Sequence, residues 1–210
     1  MWWWARFIHH VQNRYLKQFI NMELKQIFTD GYILRYKGYI AILVANITPQ
    51  QKEQLLQLAQ REEIIIGISW PFSDINQFKS HFHQAVAAVK YSQYLEKTCS
   101  VISYTDVSYY DLLQNYSGQI PLENFCHPAL KVLRKYDDKN NTELYVTLRT
   151  YLECNKNLQA TAKSLFIHRN SLAYRIARIK ELTGIDLDNI NLINSLLDSF
   201  RIEHYISSLK

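Results

Sequence analysis

Acid is missing from one long stretch of this chain. Between Lys156 and Lys180 there are six Lys or Arg and no Asp or Glu, although 19 acids stand against 24 bases over the 210 residues. Other absences narrow the classes of function. Cys99, Cys126 and Cys154 are odd in number and widely spaced with no CxxC, so they suggest neither a disulfide framework nor a zinc site and read as reduced cytoplasmic thiols. No apolar run approaches the roughly 18 residues of a membrane helix. The start, MWWWARFIHH, is interrupted by Arg6, His9 and His10 and is unlike a signal peptide. GxSxG, Walker-type and HExxH signatures are absent. His81 and His83 sit at i, i+2 of an expected helix and so point to different faces, and Cys126-His127 is an isolated pair. No metal or cofactor is implied.

What is present is the composition of a folded soluble protein, 48% hydrophobic and 20% charged, with enough material for one good core or two small ones. A net charge of +5 and a pI near 9.0 are compatible with a polyanionic partner, but only the distribution of charge decides.

From Trp2 to Asp30 there is no Pro or Gly, and Trp4, Phe7, Ile8, Val11, Tyr15, Phe19 and Ile20 recur at helical spacing, which predicts one long amphipathic helix or two meeting near Asn21. Tyr32 to Ile47 reads as a hairpin around Lys37-Gly38. Thr48-Pro49 opens a second helix, Ile64 to Ser69 is a buried strand, and Ser73 or Asp74 caps a helix whose apolar face is Ile75, Phe78, Phe82, Ala85, Val86 and Val89. A short strand near Val101 to Tyr104 follows. Beyond Tyr116-Ser117-Gly118 everything reads as helical, over Leu122 to Lys135, Thr142 to Glu153, Asn157 to Lys180 and Asn189 to Ser208, with Asp137 to Asn141 as a linker or a loop between helices. The expected class is α+β: an N-terminal α/β sandwich over 1–117, its sheet antiparallel or mixed, followed by an all-α domain over 118–210.

The run NLQATAKSLFIHRNSLAYRIARIK (Asn157 to Lys180) reads as a helix-turn-helix, extending to about residue 182. Asn157 caps a bracing helix over Leu158 to Leu165, Phe166-Ile167-His168 makes the turn, and the next helix buries Leu172, Ile176 and Ile179 as one stripe. The opposite face carries Asn170, Ala173, Tyr174 and Ala177, flanked by Ser171, Arg178 and Lys180. In this motif the second helix places its N-terminal residues against base edges in the major groove. Arg169 has the fork that pairs bidentately with guanine and Asn170 can do the same for adenine. Ser171 completes the candidate readers and Tyr174 is a further DNA-binding candidate on the same face; His168, Asn157, Gln159 and Thr161 suit phosphate and sugar, as do Arg178 and Lys180, and Arg175 lies close to the buried stripe. A charged, solvated face of an ordinary bundle is the competing reading.

From about Leu122 to Ile202 the chain resembles the C-terminal domain of PucR-type transcription regulators, through HRNSLAYR, the preceding Ala160-Thr161-Ala162 and the following Leu182-Thr183-Gly184. The resemblance implies sequence-specific promoter binding to double-stranded DNA, usually as a dimer, with the helix from Arg169 as reader. Ser171 stands where Thr is usual, and Ala173 where a longer basic residue is frequent. Tyr32 to Asp111, with GISWPFSDI and SYTDVSYYDLL, resembles a degenerate GGDEF domain, in which catalysis needs carboxylates for Mg²⁺. No acid lies between Asp30 and Glu53, so an enzyme is not expected. The strand that should precede the first helix is not legible, as if the domain were truncated. Trp2, Trp3 and Trp4 either pack on their own sheet or join a subunit interface. The leading expectation is a cytoplasmic DNA-binding regulator; the alternative is a dimerisation protein without functional DNA binding. No motif identifies an effector.

Overall fold

A computed structural model describes residues 3–8, 14–36, 39–95 and 100–209, with the side chains of 3–8, 14, 16 and 17 left undescribed. The chain divides into two compact units, Met1–Tyr116 and Ser117–Lys210. Unit 1 is built on a five-stranded sheet, β1 (Trp3–Ile8), β2 (Tyr32–Tyr36), β3 (Tyr39–Val44), β4 (Ile65–Ile68) and β5 (Val101–Ser103), in the order β2-β3-β1-β4-β5. β1 runs antiparallel to β3 and to β4, β2 antiparallel to β3, and β4 parallel to β5, so the sheet is mixed.

The helix expected from Trp2 is therefore a strand followed by a separate helix, α1 (Arg14–Ile27). The aromatic and aliphatic residues of WWARFI suit a strand as well as a helix. Pairing on both sides, Trp4 with Leu43 and Ala5 with Ile68, gives the segment its partners, and tertiary pairing outweighs a short helical period. The strand that was not legible in the sequence thus lies at the centre of the sheet. Trp3 and Trp4 belong to it by their backbones, whereas Trp2, Lys37-Gly38 and Cys99 lie outside the described residues.

β3 is buried on both faces, and its alternation sorts two cores. Ile40, Ile42 and Val44 meet Ile20, Leu24 and Phe28 of α1 and its C-terminal end, together with Leu55 and Leu58 of α2 (Pro49–Arg61). Ala41 and Leu43 meet Phe82 and Ala85 of α3 (Phe78–Lys90) on the other side. Thr48 caps α2 through a capping box with Gln51, and Pro49 opens it. Asp74 caps only a single 3-10 turn, Ile75–Gln77, before α3 begins. Ile75 is consequently 64% exposed and not part of the apolar face. A helix the sequence did not suggest, α4 (Tyr104–Gln114), follows β5 directly, its start fixed by a Ser103–Asp106 capping box.

Unit 2 is all helical: α5 (Pro128–Asn140), α6 (Leu144–Glu153), α7 (Leu158–Ser164), α8 (Arg169–Thr183) and α9 (Ile190–Ser207) enclose one core. The run taken as a linker, Asp137 to Asn140, is the last turn of α5, and Asn141 ends it in the left-handed region at φ 52°. The Asp137 carboxylate is the reason a polar run stays ordered. It accepts from Thr142 Oγ1 at 2.6 Å and from the backbone N–H groups of Leu144 and Tyr145 at 2.8 Å each, satisfying donors at the start of α6.

Candidate nucleic-acid interface

Asn157 caps α7 by accepting the Ala160 N–H at 2.9 Å. The helix then closes with the hydrogen bonds of a Schellman motif: Ile167 N–H donates to Ala162 O at 3.0 Å and Phe166 N–H to Lys163 O at 3.3 Å. That geometry puts Phe166 at the left-handed position glycine usually holds, with φ 55° and 95% of its surface exposed. Two residues on, His168 caps α8 by accepting the Asn170 N–H on Nδ1 at 3.2 Å. Gly184 ends α8 at φ 66°.

Leu172, Ile176 and Ile179 are buried in the unit 2 core, as their spacing predicts. Arg169, Asn170, Ser171, Ala173, Tyr174 and Ala177 are exposed, Tyr174 to 71%. Asn157, Gln159, His168 and Lys180 are also exposed. Thr161 is not: it is fully buried, and its hydroxyl donates to Asn157 O at 2.7 Å. It holds the first turn of α7 and offers no surface to a phosphate, which corrects its assignment as a backbone contact.

The basic residues divide in a way the sequence does not reveal. Lys156 Nζ donates to Leu187 O at 3.1 Å and lies 3.6 Å from Asp188. Arg175 is paired with Glu143 at 3.2 Å and donates to Thr147 Oγ1 at 3.1 Å. Arg178 donates to Glu181 at 2.7 Å and to Tyr136 Oη at 3.3 Å, with its guanidinium 5.1 Å from the Tyr136 ring centre. The Glu181 carboxylate and the Tyr136 hydroxyl hold the Arg178 guanidinium above its ordinary pKa. No ion pair among the described residues engages Lys163, Arg169 or Lys180. Arg175 and Arg178 open on a groove of about 690 Å³ that also borders Asn170, Ser171 and Tyr174.

A short helix, a Schellman turn and a second helix anchored by one buried stripe constitute a helix-turn-helix. Residues 144–197 match the PucR C-terminal helix-turn-helix domain. The chain is 23% identical over 154 residues to the DNA-binding transcriptional activator AdeR of Bacillus subtilis (strain 168), covering 73% of this chain and 36% of that protein. It is 28% identical over 127 residues to the proline-responsive transcriptional activator PutR of the same organism, covering 60% and 31%. The carbohydrate diacid regulator of Escherichia coli (strain K12) is 40% identical over 88 residues, covering 42% and 22%. The matched stretches thus span about a third or less of these relatives. Among the described residues no three His, Cys, Asp or Glu form a group able to hold a metal ion. No helix among them is long and apolar enough to cross a membrane.

Proposed function

We propose that the protein is a sequence-specific transcription regulator that binds duplex DNA in the cytoplasm as a homodimer. The observation that carries this reading is the division of labour along α8. Leu172, Ile176 and Ile179 fasten the helix from one side while Arg169, Asn170, Ser171 and Tyr174 stand exposed on its N-terminal half. Arg169 is the guanine reader and Asn170 the adenine reader; Asn157, Gln159, His168 and Lys180 hold phosphate or sugar. Regulators are what the similar proteins are named as, which supports the same role here. Unit 1 acts in this scheme as a non-catalytic, degenerate GGDEF-like domain for assembly or signal reception. Support comes from a hairpin region without a carboxylate between Asp30 and Glu53, where Mg²⁺ ligands would be needed.

The test is binding to the region upstream of the protein's own gene at several salt concentrations. Specific binding with a steep salt slope is expected, and Arg169→Ala should lose roughly tenfold to a hundredfold in discrimination, the worth of one bidentate base contact. A variant that separates sequences as well as wild type would remove Arg169 from the reading role. The internal pairing of Lys156, Arg175 and Arg178 favours a second reading, a dimerisation protein with no functional DNA contact. Undiminished self-association without duplex binding at low salt would select it.

A further inference from the structure

Arg175 and Arg178 face the groove beside the reading residues, yet each is occupied by a carboxylate of its own chain. These carboxylates are poorly suited to a structural role. The Glu143 side chain is 71% exposed and that of Glu181 67%, and surface pairs of this kind contribute little to stability. The two guanidinium groups are held independently of them. Thr147 Oγ1 accepts from Arg175 at 3.1 Å, while the Tyr136 hydroxyl and ring hold Arg178. If either carboxylate swings out into solvent, the arginine keeps its aim into the groove.

We propose that Glu143 and Glu181 are phosphate surrogates: in the free protein they occupy the guanidinium donors that a DNA backbone takes in the complex, and so limit how tightly the domain holds any duplex. Carboxylate and phosphate present the same kind of paired anionic oxygens to the guanidinium fork. The exchange is local, because Ser171 and Tyr174 border the same groove and belong to the helix that carries Arg169 and Asn170. Binding therefore replaces two intramolecular anions with two phosphates, and the repulsion between each displaced carboxylate and the incoming strand weakens binding at every sequence alike. What remains to distinguish a correct site is the contribution of the base edges. Glu143 and Glu181 thereby lower the affinity for every duplex without touching a base and leave the ratio between sites unchanged.

The inference rests on the DNA-binding reading, and the experiment separates the two. The full chain and its Glu143→Gln/Glu181→Gln variant are titrated with a random-sequence duplex across a salt series. A second variant, Glu53→Gln/Glu63→Gln, makes the same charge change at exposed positions of unit 1. Thermal melts followed by circular dichroism establish that each variant is folded. The Glu143/Glu181 variant should bind roughly threefold to thirtyfold tighter at low salt, with a log–log salt slope steeper by about 1 to 2, close to one unit for each phosphate contact no longer opposed. The unit 1 variant should stay near wild type. Equal affinity and slope for both variants overturns the surrogate role and leaves the DNA reading standing. Absence of duplex binding by wild type and variants at low salt overturns the DNA reading and the inference with it.

Discussion

Phe166 is the residue at which folding preference and placement disagree most. A left-handed backbone costs a residue with a Cβ about 1 to 2 kcal/mol, and the ring recovers nothing by burial because it is 95% exposed. Glycine would remove the backbone cost but widen the unfolded ensemble, which takes back about 0.4 to 1 kcal/mol. Phe166→Gly should therefore stabilise the protein by about 0.5 to 1 kcal/mol, read as a higher urea midpoint at unchanged m-value. A lower midpoint would mean that the ring is packed in solution. Thr161 teaches the opposite lesson: its hydroxyl suits a phosphate by type, but the cap at Asn157 and its own full burial commit it to α7. Residue type suggests what a side chain is able to do, and the solvent it meets decides whether it does.

At the scale of elements, legibility followed the range of the forces involved. Caps are local, so Thr48-Pro49, Asn157 and the stripe of Leu172, Ile176 and Ile179 could be read directly. β1 could not, because its partners lie more than thirty residues on, at Val44 and Ile68, and its apolar residues fit a helix equally well. α4 carries a local signal, the S-x-x-D capping box at Ser103 and Asp106, but no strong apolar stripe beside it. The polar end of α5 looked like a linker because the value of Asp137 lies in donors supplied by α6.

Close packing of elements gives a sharper test of the sheet. Gly67 of β4 pairs with Arg6 of β1 and Ile102 of β5, and a Cβ added there would lie 2.1 Å from the carbonyl oxygen of Ala85 in α3. A backbone atom on the buried face of a helix cannot step aside as a side-chain end does. Gly67→Ala should thus cost about 1 to 3 kcal/mol or more by overpacking, measured by urea unfolding of the full chain. A change below about 0.5 kcal/mol, the scatter of ordinary surface substitutions, would show that α3 sits farther from β4.

For the whole molecule, the acid-free run was a true feature of the sequence with an incomplete meaning. Glu143 and Asp188 approach it from outside and Glu181 stands just beyond its end, so three of its six bases are paired. A count along the chain cannot see an acid delivered by folding. Among the described residues no ion pair engages Lys163, Arg169 or Lys180, and on the proposed reading these three are the bases available to DNA without displacing a carboxylate, a modest electrostatic hold for one domain. On the proposed reading specificity is limited too, since the exposed start of α8 offers few side chains to base edges.

A twofold assembly answers both limits, because doubling the reading helix doubles the contacts without requiring new chemistry. Two helix-turn-helix units related by symmetry meet half-sites about one DNA turn apart, roughly 34 Å or 10 to 10.5 base pairs between centres, or a multiple of that. The proposed homodimer therefore makes a prediction about phase. Inserting about 5 base pairs between the half-sites of a footprinted operator turns one of them to the far side of the duplex and should lower affinity by at least an order of magnitude. Inserting about 10 restores the facing and should recover part of the loss. Gel-shift titrations on the three operators decide it. If the half-turn insertion binds as tightly as the parent, the two reading helices are not held in a fixed relation, and each domain engages DNA alone.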